Sequence, residues 1–241
     1  MDAVEFQQWG NSCAYFKGDS MLIELLSYPS TGPNQIAVNE VTFADVAIAA
    51  LEMGICGDSD DRVPSADPRV ARLRYRKPDC GVTKFCTAFL VEGRPNVLLT
   101  AGHCCDQYPY LCEAPIVEFN VPRSSVNGGA NPSLPIDQFA VDNINSVEYL
   151  AIPEGGGGVL TKDGEDWCVF GVWRETETGN YPGQRYHLSF SELEGDVPGS
   201  DGKALRVTGH GWDSDPRGPE SPLYLEHLTK PRFEVSAADD D

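Results

Sequence analysis

The chain has 241 residues, a formal net charge of −19 from 37 acidic and 18 basic side chains, and a hydrophobic share of 41%. That length suits one large domain or a domain with an appendage, and that hydrophobic share supplies a core and argues against a disordered chain. So acidic a surface repels nucleic-acid phosphates and anionic lipid and argues against both as partners; the charge serves solubility, with a preference for basic substrates as the sharper alternative.

With 24 Gly and 18 Pro, the sequence favours many short strands and turns over long helices. Residues 21–26 form a strand-like apolar run, a turn cluster follows at 29–34, and 36–46 alternate apolar and polar positions. Residues 46–53 are open between strand and short helix. The texture changes at Ile55, with an acidic stretch and then Pro64 and Pro68, which marks a boundary. Residues 1–54 therefore read as an N-terminal β-rich pro-segment or flanking domain. Further strands are expected at 70–76, 83–91 and 97–101, long loops around a few strands at 106–165, and a strand at 166–173. After a connector at 179–184 comes a strand at 205–212, then a polar, proline-broken tail from 213 to 241. Neither a repeat nor a heptad is present, so the architecture is all-β.

Cysteines stand at positions 13, 56, 80, 86, 104, 105, 112 and 168. An even count without C-x-x-C pairs points to disulfides and an oxidising, extracellular or periplasmic compartment. The N-terminus shows neither the basic nor the apolar region of a signal peptide, and no run approaches a membrane span. Either the compartment differs or Met1 is not the true start. Zinc is the competing use of Cys104, Cys105 and Cys112 with His103, although adjacent cysteines rarely present the spacing that a tetrahedral site needs.

The segment that carries chemistry runs from Phe85 through Cys86 to Val91, turns, and continues from Val97 to His103, Cys104 and Cys105. Two apolar strands thus end in a histidine at a strand terminus, a rigid mount for a general base whose unperturbed pKa lies near neutrality. Cys86 and Cys104 lie near the ends of this hairpin-like unit, 18 positions apart, and a bridge between them would fix the histidine backbone.

Leu99-Thr100-Ala101-Gly102-His103-Cys104 resembles the histidine signature of the trypsin/chymotrypsin-like serine peptidases, and Cys86-Thr87-Ala88-Phe89-Leu90 resembles their strand bearing the partner cysteine. Ile55-Cys56-Gly57-Asp58-Ser59-Asp60-Asp61-Arg62 is similar to the mature start of bacterial glutamyl-endopeptidase-like members. Asp166-Trp167-Cys168-Val169-Phe170 resembles the strand that begins with the catalytic aspartate, and an acid opening an apolar run sits at the rim of a core. Asp137, Asp142 and Asp163 are its rivals. The resemblance implies that His103 is general base and acid and that Asp166 orients it. The two stand 63 positions apart, against roughly 45 in the chymotrypsin template, and the loop-rich 106–165 stretch absorbs the excess.

The serine is the missing part. No Gly-x-Ser-Gly occurs in the sequence; Ser59 precedes the histidine, Ser200 has the wrong spacing, and Ser214, Ser221 and Ser236 lack flanking glycines. In the template the serine follows the aspartate by roughly 90 residues, and residues 167–241 fall short of that. The resemblance covers residues 55–212 and implies a chymotrypsin-like antiparallel double β-barrel. Residues 55–184 would form the first barrel, with His103 and Asp166, and residues 185–241 a partial second barrel and acidic tail. The expected protein is a monomeric serine-type endopeptidase acting on protein or peptide substrates without cofactor or metal, from a sequence cut short before its nucleophile. The alternatives are a pseudopeptidase that binds without cutting and the metal-binding β protein.

Overall fold

Alternating side chains sort Val70–Arg76 into two faces: Ala71, Leu73 and Tyr75 point one way, Arg72 and Arg74 the other, and all five are buried. In the computed structural model this strand lies in a sheet that curls until its edges meet. The structure describes residues 3–9, 13–16, 20–26, 29, 32–33, 35–38, 63–65, 67–76, 83–91, 93–105, 113–122, 131–142, 148–150, 166–186, 204–213 and 224–234. Within them the elements run in chain order α1 (Ala3–Gln8), β1 (Val63–Pro64), β2 (Val70–Arg76), β3 (Thr83–Leu90), β4 (Val97–Thr100), β5 (Glu113–Glu118), β6 (Gln138–Asp142), β7 (Glu148–Leu150), β8 (Trp167–Val172), α2 (Pro182–Arg185), β9 (Ala204–Asp213) and β10 (Tyr224–Glu234).

The larger sheet has the order β4-β3-β2-β5-β6-β8-β7, and β4 also pairs with β8, so six antiparallel strands close a barrel. Closure leaves no free edge among these six, the usual remedy for exposed strand edges. One edge of β8 takes β4; the other is divided between β6 at Val172 and Gly171 and β7 from Val169 to Trp167. The interior is filled by residues two apart on successive strands: Ala88 and Leu90, Leu98, Val117, Phe139 and Val141, then Cys168, Phe170 and Val172. Phe119 stands edge-on to Phe139 at 5.7 Å between ring centres.

The outer wall is buried as well where β2, β5 and β6 lie side by side. Trp9, 4% exposed, packs on Ile116 and Ala140 there, with Ala14, Tyr15 and Trp173 around them. The Tyr15 backbone exchanges two 2.8 Å hydrogen bonds with the Gln138 side chain, donating to Oε1 and accepting from Nε2. Its ring lies 3.4 Å from the Arg74 guanidinium carbon. Under this cover the Glu118 carboxylate accepts from Arg72 Nε at 2.8 Å and from the Ser133 N–H at 3.2 Å.

A second, three-stranded antiparallel sheet has the order β1-β10-β9. It meets the barrel at β3, where the Thr87 hydroxyl accepts from the His210 N–H at 2.7 Å and donates to the His210 carbonyl at 3.2 Å. A Cβ at position 209 would stand 3.0 Å from Thr87 Oγ1, which explains a glycine there.

Strands β2, β3, β4, β8 and β9 lie where the sequence places them, to within a residue at either end. Elsewhere the structure departs from the expectations. Residues 21–26 belong to no strand and are exposed, Leu22 at 90%. The polar tail contains β10, and the 179–184 connector ends in α2. Of 36–46 only 36–38 are described, and they are not strand. The ambiguous 46–53 segment, the 55–62 motif, and Ser59, Ser200, Ser214, Ser221 and Ser236 lie outside the described residues.

Candidate active site

Beyond Thr100 the chain leaves β4 and makes one turn of 3₁₀ helix over Gly102–Cys104. Ala101 enters it in an extended conformation, and the Cys104 and Cys105 N–H groups close it onto the carbonyls of Ala101 and Gly102. His103 projects from this turn with its side chain 49% exposed, while its neighbours Gly102 and Cys104 are buried. A buried frame thus holds up a solvent-facing imidazole.

Asp166 stands immediately before β8, the strand adjoining β4, and its side chain is 31% exposed. Its Oδ2 lies 2.7 Å from His103 Nδ1, and its Oδ1 accepts from the His103 backbone N–H at 2.8 Å. The carboxylate therefore fixes both the ring and the residue that carries it. A carboxylate on Nδ1 selects the tautomer with the proton there and leaves Nε2 as the basic nitrogen. Burial works to raise the Asp166 pKa. The hydrogen bonds from the His103 backbone and ring, the His103 charge and the Gly102 N–H outweigh it, and the carboxyl titrates below its ordinary value of 3.8.

The rival Asp137 is held elsewhere. It is 5% exposed, accepting from Tyr186 Oη at 2.6 Å and from Arg185 Nε at 3.2 Å. Burial and then Asp137 push the Tyr186 hydroxyl far up, so it remains a donor. Asp142 pairs with Gly171 through the β6–β8 ladder, and Asp163 lies outside the described residues.

Both cysteines after His103 are oxidised. Cys104 bonds to Cys86 on β3, and Cys105 bonds to Cys168 on β8. The first bridge is the one that the hairpin suggests. The second was not legible, although each of its cysteines lies two positions after a member of the His103–Asp166 pair. Neither Cys104 nor Cys105 retains a thiolate for zinc, which corrects the metal-binding alternative, and Cys112 lies outside the described residues. Among the described residues no group of three or more His, Cys, Asp or Glu is placed to hold a metal ion, and no helix is long and apolar enough to cross a membrane.

The fold and this corner define a closed antiparallel β-barrel, disulfide-bonded, with a histidine–aspartate pair at its rim. No family model matches the chain, and no curated protein matches it. The solved structures similar to it include two at low identity. One is a thermostable serine protease, AL20, from an extremophilic microorganism: 14% identity, 73% of this chain and 69% of that chain covered, TM-score 0.45. The other is the protease Anisep from Arthrobacter nicotinovorans: 14% identity, 74% of this chain and 68% of that chain covered, TM-score 0.45.

Proposed function

We infer that this protein is a serine-type endopeptidase of the trypsin/chymotrypsin-like kind, in which His103 is the general base and acid and Asp166 its orienting carboxylate. The observation that carries the reading is the two-point hold of Asp166 on the His103 backbone N–H and Nδ1. In that arrangement His103 Nε2 takes the proton of a serine hydroxyl as it attacks the peptide carbonyl, and then returns it to the leaving amine. Asp166 keeps the proton on Nδ1 and stabilises the imidazolium formed in between. The chemistry passes through an acyl-enzyme and calls for no cofactor; the substrate is a protein or peptide. In this reading residues 55–184 carry the barrel, residues 185–241 carry two of the three strands of the second sheet, and residues 1–54 are the flanking segment. The two disulfides support an extracellular or periplasmic location.

The test is labelling of the full gene product with a biotinylated fluorophosphonate, beside its His103→Ala variant. Labelling of one serine that disappears with His103 is the expected result, and no labelled serine in the folded protein overturns it.

A further inference from the structure

We propose that the Cys105–Cys168 disulfide is a positioning device: it sets the separation of His103 and Asp166, which exposed hydrogen bonds alone would not hold. Its mechanistic consequence rests on the peptidase reading; the positioning itself does not.

The last rung of the β4–β8 ladder is Thr100↔Cys168. His103 and Asp166 both lie beyond it, on chain ends that leave the barrel at its rim. The aspartate end is steadied from one side by β7, through Leu150↔Trp167. The histidine end is steadied from the opposite side, where Cys104 is bound to Cys86 on β3. These anchors sit on different neighbours and leave the gap between the two ends undetermined. What spans the gap is the set of hydrogen bonds that Asp166 accepts from His103 and from the Gly102 N–H, around side chains 49% and 31% exposed, and the Cys105–Cys168 bond. Polar contacts that wet hold two chain segments weakly, because water competes for each partner.

The disulfide is placed otherwise. Cys105 is 2% and Cys168 0% exposed, and both belong to the barrel core. Cys105 follows His103 by two residues and Cys168 follows Asp166 by two, so the bridge and the acid–base pair share one sequence separation, 63. The histidine turn is thereby stapled to both strands that flank β4, to β3 through Cys104 and to β8 through Cys105. A base and its orienter held this way are in place before any substrate arrives, which is where orientation contributes to rate.

A bridge that merely stabilised the fold would slow opening everywhere alike. The experiment is therefore native-state amide hydrogen exchange on the full chain, comparing the His103 N–H, donor to Asp166, with the core amides of Leu98 and Phe170. In the native protein the His103 amide should exchange at a rate close to theirs, since the clamp lets it open only with the barrel. In Cys105→Ala/Cys168→Ala it should exchange at least about tenfold faster relative to those two amides, and the hydrogen-bonded Nδ1–H signal of His103 should broaden or vanish. A rise of equal factor at all three amides, with the Nδ1–H signal retained, overturns the proposal. If the variant does not fold, the native protein decides: a His103 amide exchanging about a hundredfold faster than Leu98 and Phe170 shows the pair opening with the bridge intact, and overturns it too. Fluorophosphonate labelling is a separate readout, so failure of the peptidase reading and failure of the clamp are told apart.

Discussion

Replacing Glu118 with Gln should cost more than any other single change on the outer wall of the barrel. Arg72, Arg74 and Glu118 are 0%, 1% and 0% exposed, so two guanidiniums share one carboxylate away from water. Arg72 Nε donates to one oxygen at 2.8 Å; the Ser133 N–H donates to the other at 3.2 Å, and Arg74 Nη1 lies 3.9 Å from it. Burial pulls the Arg74 pKa below its ordinary value, and Glu118 is the main charge opposing that shift. A glutamine keeps the shape but turns one acceptor into an NH₂ group. Whichever way the amide is oriented, that group faces a donor, and both cations lose their counter-charge. Removing one partner of a buried ion pair costs about 3–5 kcal/mol, and with two cations stranded the upper part of that range is expected. Urea unfolding at neutral pH, followed by circular dichroism, reads the loss directly. A change below about 1 kcal/mol would mean that water reaches the carboxylate and that the N-terminal segment does not seal the wall, which refutes the reasoning. Replacing all three, as Arg72→Met/Arg74→Met/Glu118→Leu, should recover most of the loss, because the apolar set has no charge to desolvate.

Two further outcomes are expected. Because the folded Asp166 carboxyl titrates below 3.8, its contribution to stability is complete above the unfolded value and disappears as pH falls through the folded one. The stability difference between the protein and Asp166→Asn, taken from denaturant midpoints, should thus shrink towards zero between about pH 5 and about pH 2; a difference that grows on acidification contradicts the assignment. Thr87→Val preserves volume but removes the hydroxyl that both accepts from and donates to the His210 backbone. It should cost about 1–2 kcal/mol and speed amide exchange in β9 more than in β2, and equal protection of the two strands would show that the second sheet does not depend on this contact.

Of the barrel strands, β2, β3, β4 and β8 were legible because each is a short apolar run bounded by turn residues, whereas β5 and β6 lie in a stretch that reads only as loops around a few strands. The 70–76 run shows the limits of that signal. Nothing in the run itself shows that its outward arginines are buried: Phe85 of β3 lies beside both, and the distant Tyr15, arriving from the N-terminus, covers Arg74. Helix α1 has six residues, too few for a 3.6-residue period to stand out. Strand β10 was hidden by Pro231, which a strand interior rarely tolerates; the ladder with β9 accommodates it by shifting register between Lys230 and Phe233. The His103 and Asp166 positions came from local motif, whereas the Cys105–Cys168 bridge depends on β4 and β8 being neighbours across an intervening 63-residue separation. Once one bridge is set aside, six remaining cysteines allow 15 pairings, and nothing local chooses among them.

Two consecutive residues of β3 connect the two sheets to the histidine. Cys86 packs with the barrel core and is bonded to Cys104, one residue from His103; Thr87, pointing the other way in the pleat, binds the His210 backbone of β9. The Thr87 carbonyl in addition accepts from Thr100 Oγ1 at 2.7 Å, tying β3 to the end of β4 from which the histidine turn departs. The second sheet is thus referenced to His103 through the shortest covalent path available on a strand, a single peptide unit whose side chains face opposite ways. Under the peptidase reading proposed above, a nucleophile would have to stand within hydrogen-bond reach of His103 Nε2, and a chain segment carried by the second sheet would inherit its aim from this pair of residues. A loosened Thr87 contact would then shift the second sheet while leaving the Asp166–His103 bond untouched, whereas a loosened Cys105–Cys168 bridge would do the reverse.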